Sequence, residues 1–319
     1  MAVVYGNTHP PGRVIAYPKY VAANRKTAWC RSRSLCFSRL PPYSSRYILE
    51  AEDVEYVYDN FYQTILPTIS IFAISEINRP TQGFDKLLHN PSGNSLVETM
   101  FSFLDKLREN MDLPVTRIGI TGSLLLGMHN EEISDIDIVV YGSSYIREVL
   151  EVIKENKLLV PLHLNIKYTN RFVSRCNGRD SIIEYWRRGI YKNKTVSLLG
   201  APIECSSNIR FFYTNIALVD AIIDVEEGQE TLLLTPASGL GTVREVRHIL
   251  VLEKGVEKTD ILRGIHKHQV MLEIYDNITS FLLYGGGCFR VTGLLSLRNN
   301  NDYVIKIGAR EVTTKTSAK

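Results

Sequence analysis

Acidic residues are missing from the first 49 positions of this 319-residue chain. That stretch holds eight Lys and Arg residues, whereas the remainder holds 29 basic and 34 acidic residues, a net charge of −5. Such charge asymmetry is typical of proteins that bind a polyanion, and the interleaved Tyr and Trp suit single-stranded nucleic acid. We therefore expect a polyanion-binding surface at Arg13, Lys19, Arg31 and Arg33. The alternative is a solvated loop whose charge partly balances an acidic site.

A CxxC pair is also missing. The cysteines are odd in number and widely spaced, which argues against a disulfide framework and against a zinc site. The H-x-H of His266 and His268 has no nearby Cys or acid to complete zinc coordination, so no zinc is expected there. We expect reduced thiols in a cytoplasmic protein, at Cys30, Cys36, Cys176, Cys205 and Cys288.

Long apolar runs are absent as well. No run approaches the roughly 20 residues that cross a bilayer, and the first residues lack the apolar stretch of a signal peptide. The 45% of apolar residues is enough for a sizeable core, and the length fits two or more domains of about 100–200 residues. We expect a cytoplasmic protein without a membrane partner.

Hydrophobic periodicity predicts an α+β protein with a mixed middle and a β-rich end. Spacing favours a helix in 50–66, a capped helix from Ser95 to about Asn110, and a helix from Asp180 to Gly189, whereas 78–94 is typical of a connector. After position 208, strand patterns dominate and suggest a small barrel or sandwich. They include SFLLY (280–284), which the hairpin turn GGG (285–287) would follow.

These patterns divide the chain into three expected domains. The first is a basic β/loop segment that packs on the core, the second carries the mixed α/β pattern, and the third is β-rich. Their expected bounds are 1–66, 67–224 and 225–319.

The strand DIDIVVYG (135–142) carries two aspartates in an otherwise apolar run. Because strand side chains alternate between faces, Asp135 and Asp137 share one face, opposite Ile136 and Ile138. Two adjacent carboxylates repel, and burying them without a cation is costly. Mg²⁺, or Mn²⁺ in its place, accepts such oxygen ligands together with water and substrate phosphates. The alternative is a solvated strand edge.

A Gly-Ser turn precedes this strand, with 11 residues between Ser123 and Asp135. A turn of this kind at Gly122 and Ser123 offers free backbone N–H groups and a hydroxyl, which suit the phosphates of a nucleoside triphosphate. Phosphates on the turn and metals on the aspartates would together support an in-line displacement.

The motif GS, about ten residues, then SDIDIVVYG resembles the signature of polymerase-β-type nucleotidyltransferases. Together with HPPGRVIAYPKY (9–20), IIEYWRRG (182–189) and FRVTGLLSL (289–297), it resembles a group of archaeal predicted nucleotidyltransferases over nearly the whole chain. The resemblance implies a polymerase-β-like core with a mixed sheet and metal-dependent transfer of a nucleoside monophosphate from a nucleoside triphosphate, releasing pyrophosphate. Members of the group often carry a few more residues before the first strand, so this chain is expected to begin late.

The resemblance also implies a third carboxylate on a later strand. Glu204, in GAPIECSS, is the best match, although the superfamily more often has aspartate there. Asp220 and Asp224 on the next predicted strand compete with it.

Two functions follow from these patterns. The first is a metal-dependent nucleotidyltransferase with Asp135, Asp137 and Glu204 as metal ligands and catalytic acids, acting on RNA, a protein side chain or a small molecule. The second is a catalytically inactive nucleotide- or nucleic-acid-binding protein on the same fold, because fold alone does not fix function.

Overall fold

In the computed structural model, helices and strands are described for most of the chain. The described residues are 1–4, 9–32, 34–40, 55–59, 64–90, 93–165, 172–176, 182–203, 211–299 and 301–308.

The strands are short in the N-terminal third and long in the C-terminal third. They are β1 (Ala2–Val4), β2 (Arg13–Pro18), β3 (Tyr20–Ala23), β4 (Trp29–Cys30), β5 (Cys36–Arg39), β6 (Glu55–Asp59), β7 (Thr64–Ser70), β8 (Ile118–Ile120), β9 (Ile136–Tyr141), β10 (Val160–Asn165), β11 (Val173–Arg175), β12 (Ile182–Tyr191), β13 (Lys194–Ala201), β14 (Tyr213–Val225), β15 (Ala237–Val251), β16 (Gln269–Ile274), β17 (Gly287–Arg298) and β18 (Asp302–Ile307).

The helices lie mainly in the middle of the chain. The α-helices are α1 (Pro80–His89), α2 (Ser95–Arg108), α3 (Gly122–Leu125), α4 (Ser143–Glu155), α5 (Lys258–Ile265) and α6 (Asn277–Tyr284), and the 3₁₀ turns are Ile71–Ala73, Val115–Arg117 and Glu230–Leu233.

The central sheet has the strand order β10–β12–β13–β9–β8. β9 runs parallel to β13 and antiparallel to β8, so the sheet is mixed, as expected. Buried side chains of α1, α2 and α4 form one apolar cluster with those of β8, β9 and β13. The helices therefore cover one face of this sheet and leave the aspartate face to other parts of the chain.

A four-stranded sheet and a three-stranded sheet precede the central sheet. One has the order β1–β2–β7–β6; the other, which we call the small sheet, has the order β3–β5–β4. Tyr20 and Phe37 of the small sheet are buried against Met128, with Leu126 and Trp29 beside them. Because Leu126 and Met128 directly follow α3, the small sheet packs against the chain that leaves the Gly-Ser turn.

The C-terminal strands close into a barrel. β14 pairs with both β15 and β17, β15 with β16, β16 with β18, and β18 with β17, while β11 adds to β17. The β16–β18 pair is parallel and the other pairs are antiparallel. α6 connects β16 to β17, and a second apolar cluster fills the interior. A β-rich C-terminal region is therefore present.

Two predicted helices are wrong, because both segments form strands. The described residues of 50–66, which are 55–59 and 64–66, belong to β6 and β7, and these strands pair with each other. The pattern in 180–189 belongs to β12, which lies between β10 and β13, and Asp180 itself lies outside the described residues. In β12 the exposed and buried side chains alternate from Ile182 to Gly189, and this period of two is that of a half-buried strand.

Other predictions also need correction. The predicted connector 78–94 contains α1, with Pro80 at its first turn, where proline is tolerated. SFLLY belongs to helix α6, because the Asp276 side chain accepts a hydrogen bond from the N–H of Thr279 and caps it. GGG therefore connects a helix to a strand. The helix from Ser95 is confirmed, although Asn94 provides its cap.

The prediction of reduced thiols is wrong for four of the five cysteines. Cys30 is bonded to Cys36 and Cys176 to Cys288, while Cys205 lies outside the described residues. Sequence spacing missed both bonds because pairing depends on strand neighbours: β4 pairs with β5, and Cys176 follows β11, which pairs with β17. Disulfides are rare in the cytosol outside hyperthermophiles, and the cytoplasmic location stays a prediction.

The expected boundary at 224/225 falls at the end of β14, which lies in the barrel. The division into three domains stays a prediction. Across the described residues, no helix is both long and apolar enough to span a membrane.

Candidate active site

The two aspartates lie at the start of β9. Ile136, Ile138 and Val140 are at most 1% exposed and belong to the core cluster. Asp137 is partly buried, and the side chain of Asp135 is 29% exposed. The alternation expected from the sequence is confirmed, with the apolar residues in the core and the carboxylates on the opposite face.

Gly122 places the turn directly against Asp137. Its φ is +67°, and a Cβ at this position would overlap the Asp137 carboxylate. The N–H of Thr121 donates to the backbone oxygen of Asp137 at 2.9 Å. Glycine is needed here for two reasons: the left-handed backbone and the space that the carboxylate occupies. The structure thus brings Gly122 and Asp137 together, as the motif predicts.

The hydroxyl of Ser123 points into the protein. Ser123 is 6% exposed, and its Oγ donates to Oγ of Ser134 at 3.1 Å. Oγ of Ser134 also accepts from the N–H of Asn130 at 2.9 Å. Ser123 therefore fixes the turn to the loop before Asp135. In this arrangement its side chain supports the site, and its contact with phosphate stays a prediction.

Arg188 is a site residue that sequence reasoning missed. Nη2 of Arg188 lies 2.6 Å from Oδ2 of Asp135. The strand register explains this placement, because Arg188 pairs with Ser197 and Ser197 pairs with Asp137, so all three share one face. The sequence pattern predicts a helix in IIEYWRRG, and the ion pair depends on strand register, which one sequence does not give.

Cations from the N-terminal segment also act on the aspartates. Burial raises the pKa of Asp137 and Asp135 raises it further, whereas Lys19, Arg188 and Arg39 lower it, Lys19 most. Burial lowers the pKa of Lys19 itself, and Asp137 partly offsets that effect. Two carboxylates are therefore held together with three cations around them.

Two of the other predicted polyanion-binding residues, Arg13 and Arg31, pair with acidic side chains. Arg13 bonds to Oε2 of Glu55 at 2.5 Å and to Thr68 at 2.7 Å. Arg31 lies 3.1 Å from Oε2 of Glu76. Arg33 lies outside the described residues. Of the three predicted residues that the structure describes, Lys19 is the one whose charge acts on Asp137.

The predicted third acid, Glu204, lies outside the described residues. Its competitors Asp220 and Asp224 lie on β14 of the barrel and pair with Arg290 and Arg244. In the part of the chain that the structure describes, no group of three or more His, Cys, Asp or Glu side chains is arranged to hold a metal ion.

The comparison with protein families matches the segment that holds this geometry. Residues 102–188 match the nucleotidyltransferase domain. The match covers about a quarter of the chain, from α2 to Arg188, and contains the Gly-Ser turn and both aspartates. It supports a nucleotidyltransferase domain in this segment and thus a transferase activity. Neither the curated proteins nor the solved structures gave a match.

Proposed function

We propose that this protein transfers a nucleoside monophosphate from a nucleoside triphosphate to an acceptor hydroxyl, in a polymerase-β-like core. The acceptor oxygen forms a bond to the α-phosphorus, the bond from that phosphorus to the bridging oxygen breaks, and pyrophosphate leaves. The observation that carries the proposal is the contact of Gly122 with Asp137 beside Asp135, inside the segment that matches the nucleotidyltransferase domain.

The two carboxylates fit a Mg²⁺ or Mn²⁺ site. Asp135 and Asp137 supply hard oxygen ligands from one strand face, and the raised pKa of Asp137 reflects a burial cost that a cation would remove. When bound, the metal would stabilise charge on the entering and leaving oxygens. Arg188 forms an ion pair with Oδ2 of Asp135. When a metal binds, Arg188 would either keep this carboxylate oriented or give up the ion pair so that both oxygens can reach the metal. Glu204 remains the proposed third ligand and the acceptor of the hydroxyl proton.

The turn next to Asp137 is where the phosphates would bind. Gly122 has no side chain and lies against the Asp137 carboxylate, and phosphates approach a backbone closely only where no side chain intervenes. Ser123, through its bond to Ser134, keeps this turn in register with the aspartates. The chain would thus hold the triphosphate and its metal at one place.

RNA is the proposed acceptor with the most support. The barrel of β14 to β18, with α6 between its third and fourth strands, has the five-stranded Greek-key architecture of OB-folds, which bind oligonucleotides and oligosaccharides in other proteins. A protein side chain or a small alcohol would present the same attacking oxygen.

The test is a transfer assay with purified protein, Mg²⁺ and each of the four α-labelled nucleoside triphosphates. The acceptors are an RNA with a free 3′ hydroxyl, protein substrates and small alcohols. We expect label transfer by the wild type and a loss of at least about 100-fold in Asp135→Asn with Asp137→Asn, because both metal ligands are removed.

Asp112→Asn is the matched control, since Asp112 is an exposed acid outside the site. It should retain wild-type activity, and circular dichroism should report the same fold for all three proteins. Transfer that is unchanged in the double variant contradicts the proposal.

A second candidate function is nucleotide binding without turnover. Arg188 and Lys19 already balance the charge of the two acids, which is the arrangement expected of a site that has lost its metals. Triphosphate binding that is equal with Mg²⁺ and with a chelator, together with no transfer to any acceptor, would favour it.

A further inference from the structure

Lys19 lies next to the small sheet, and its charge acts on Asp137 of the candidate active site. It joins β2 to β3, and its backbone oxygen accepts from the N–H of Leu40 at 3.0 Å. The neighbouring Tyr20 is 3% exposed and packs with Phe37 against Met128, just beyond the Gly-Ser turn. The position of Lys19 is therefore fixed by the docking of the small sheet on that turn.

Arg39 reaches the same place from the neighbouring strand. It pairs with Tyr20 across β3 and β5, and the charges of both Arg39 and Lys19 act on Asp137. Lys19 is half-buried, whereas Arg39 is exposed. The small sheet thus brings two cations to the aspartates, one of them sheltered from water.

Lys19 and Arg39 would lose the negative charge of the two aspartates as their partner once a divalent cation binds there. A divalent cation on Asp135 and Asp137 would cancel the negative charge that Lys19 now faces, and cations held close together in a poorly solvated place repel strongly. An ammonium in such a place needs an anion. The anion that accompanies the metal is the triphosphate, and both Lys and Arg bind phosphate oxygens with charge-assisted hydrogen bonds.

We infer that Lys19 and Arg39 are ligands of the triphosphate, and that the small sheet is therefore part of the nucleotide site. This inference rests on the proposed function. On this inference the N-terminal segment contacts the phosphates of a small substrate. It would not serve as a general polyanion-binding surface.

The experiment measures binding of inorganic tripolyphosphate and of a nucleoside triphosphate in Mg²⁺ by calorimetry, and KM and kcat in the transfer assay. Because hydrogen bonds to charged groups contribute substantially to binding, Lys19→Met should lower the affinity for both ligands by about 10-fold to 100-fold. KM should rise with kcat nearly unchanged, and Lys19→Arg should restore most of the affinity. Lys26→Met, at an exposed lysine of the same segment, is the matched control and should bind as the wild type does.

If Lys19→Met folds poorly, a second pair of variants tests whether the small sheet binds the triphosphate. Arg39→Gln removes an exposed side chain and should weaken tripolyphosphate binding about 3-fold to 10-fold, whereas Arg25→Gln, also exposed, should not. Wild-type binding together with unchanged affinity in Lys19→Met and Arg39→Gln overturns this inference alone. Tighter binding by Lys19→Met also overturns it, since Lys19 would then block the site. A wild type that binds no triphosphate overturns the proposed function and this inference together.

Discussion

Gly122 gives the sharpest test at the scale of single residues. Gly122→Ala places a Cβ against the Asp137 carboxylate on a backbone of φ +67°. Gly127→Ala is the matched control, because Gly127 has φ +62° with open space around its Cα. The left-handed backbone alone costs about 1–2 kcal/mol, so both variants should lose that much in urea unfolding.

The overlap should cost Gly122→Ala more than this. We expect at least about 1 kcal/mol of additional loss, within the usual range for strained or overpacked positions, together with weaker metal binding because Asp137 must move. Equal stability of the two variants would show that the carboxylate moves freely and would contradict a preformed contact.

Lys306 predicts how stability depends on pH. It is 3% exposed, and its Nζ lies 3.7 Å from the centre of the Tyr213 ring. Burial lowers the pKa of Lys306 to about 8, although Glu273 acts in the opposite direction. Between that value and its usual 10.5 the folded state holds fewer protons than the unfolded state, so the contribution of Lys306 to stability rises with pH.

Lys306→Met should therefore be more stable than the wild type at pH 7, by an amount of order 3 kcal/mol at most. The difference in unfolding free energy should shrink as the pH rises from about 8 toward 10. Urea unfolding at several pH values checks this. A difference that stays constant across that range would contradict the shifted pKa.

The residue-scale features of the site were only partly visible in the sequence. Alternation predicted the shared face of Asp135 and Asp137, because that rule depends only on neighbours in the chain. The contact of Gly122 with Asp137 and the ion pair of Arg188 with Asp135 depend on strand register, which one sequence does not give.

At the scale of elements, the two disulfides make a comparative prediction. Cys176–Cys288 closes a loop with a sequence separation of 112, and Cys30–Cys36 closes one of 6. In the chain-entropy account a loop of roughly 100 residues gains about 4.7 kcal/mol and one of about 15 gains about 3 kcal/mol. Replacing the first pair by serines should therefore reduce stability more than replacing the second pair.

Denaturant unfolding of the two double-serine variants, beside the oxidised wild type, checks the order. We expect Cys176→Ser with Cys288→Ser to lose at least about 1.5 kcal/mol more than the other pair. An equal loss, or a larger one from the short loop, would contradict the account of the long bond.

Helix and strand patterns are hard to tell apart in short windows that fit both periods. In IIEYWRRG the aromatic and β-branched residues favour a strand, but an Asp before them suggested a helix cap. In SFLLY the cap was missed instead, since Asp276 lies four residues before the pattern begins. Residues 182–191 form strand β12 because they pair with β10. The hydrogen bond from the N–H of Thr279 to the Asp276 side chain marks the start of α6.

At the scale of the whole molecule, the central sheet and the barrel are joined. Gly200 of β13 forms a β-bridge with Leu234, on the connection that leads from β14 to β15. Tyr185 of β12 also packs edge-on against Phe281 of α6, with the ring centres 5.1 Å apart. The sequence indicated a β-rich end, but the closure of the barrel depends on pairs far apart in the chain, such as β14 with β17.

The N-terminal segment is the feature of the whole molecule that sequence reasoning placed least well. A segment without acids is typical of an arm that binds an external polyanion. In the structure, Arg13 and Arg31 instead pair with nearby acids, and the charge of Lys19 acts on Asp137. The missing acids are supplied by later parts of the chain, which no local pattern could indicate.

The central claim is that Asp135 and Asp137 form a metal site beside the Gly-Ser turn. The most direct test counts bound Mn²⁺ by paramagnetic resonance, with a mixture of the four non-hydrolysable α,β-methylene nucleoside triphosphates present. The account predicts at least one protein-dependent Mn²⁺ per chain in the wild type and in Asp112→Asn, and its loss in Asp135→Asn with Asp137→Asn. Equal Mn²⁺ binding by the wild type and the double variant would contradict it.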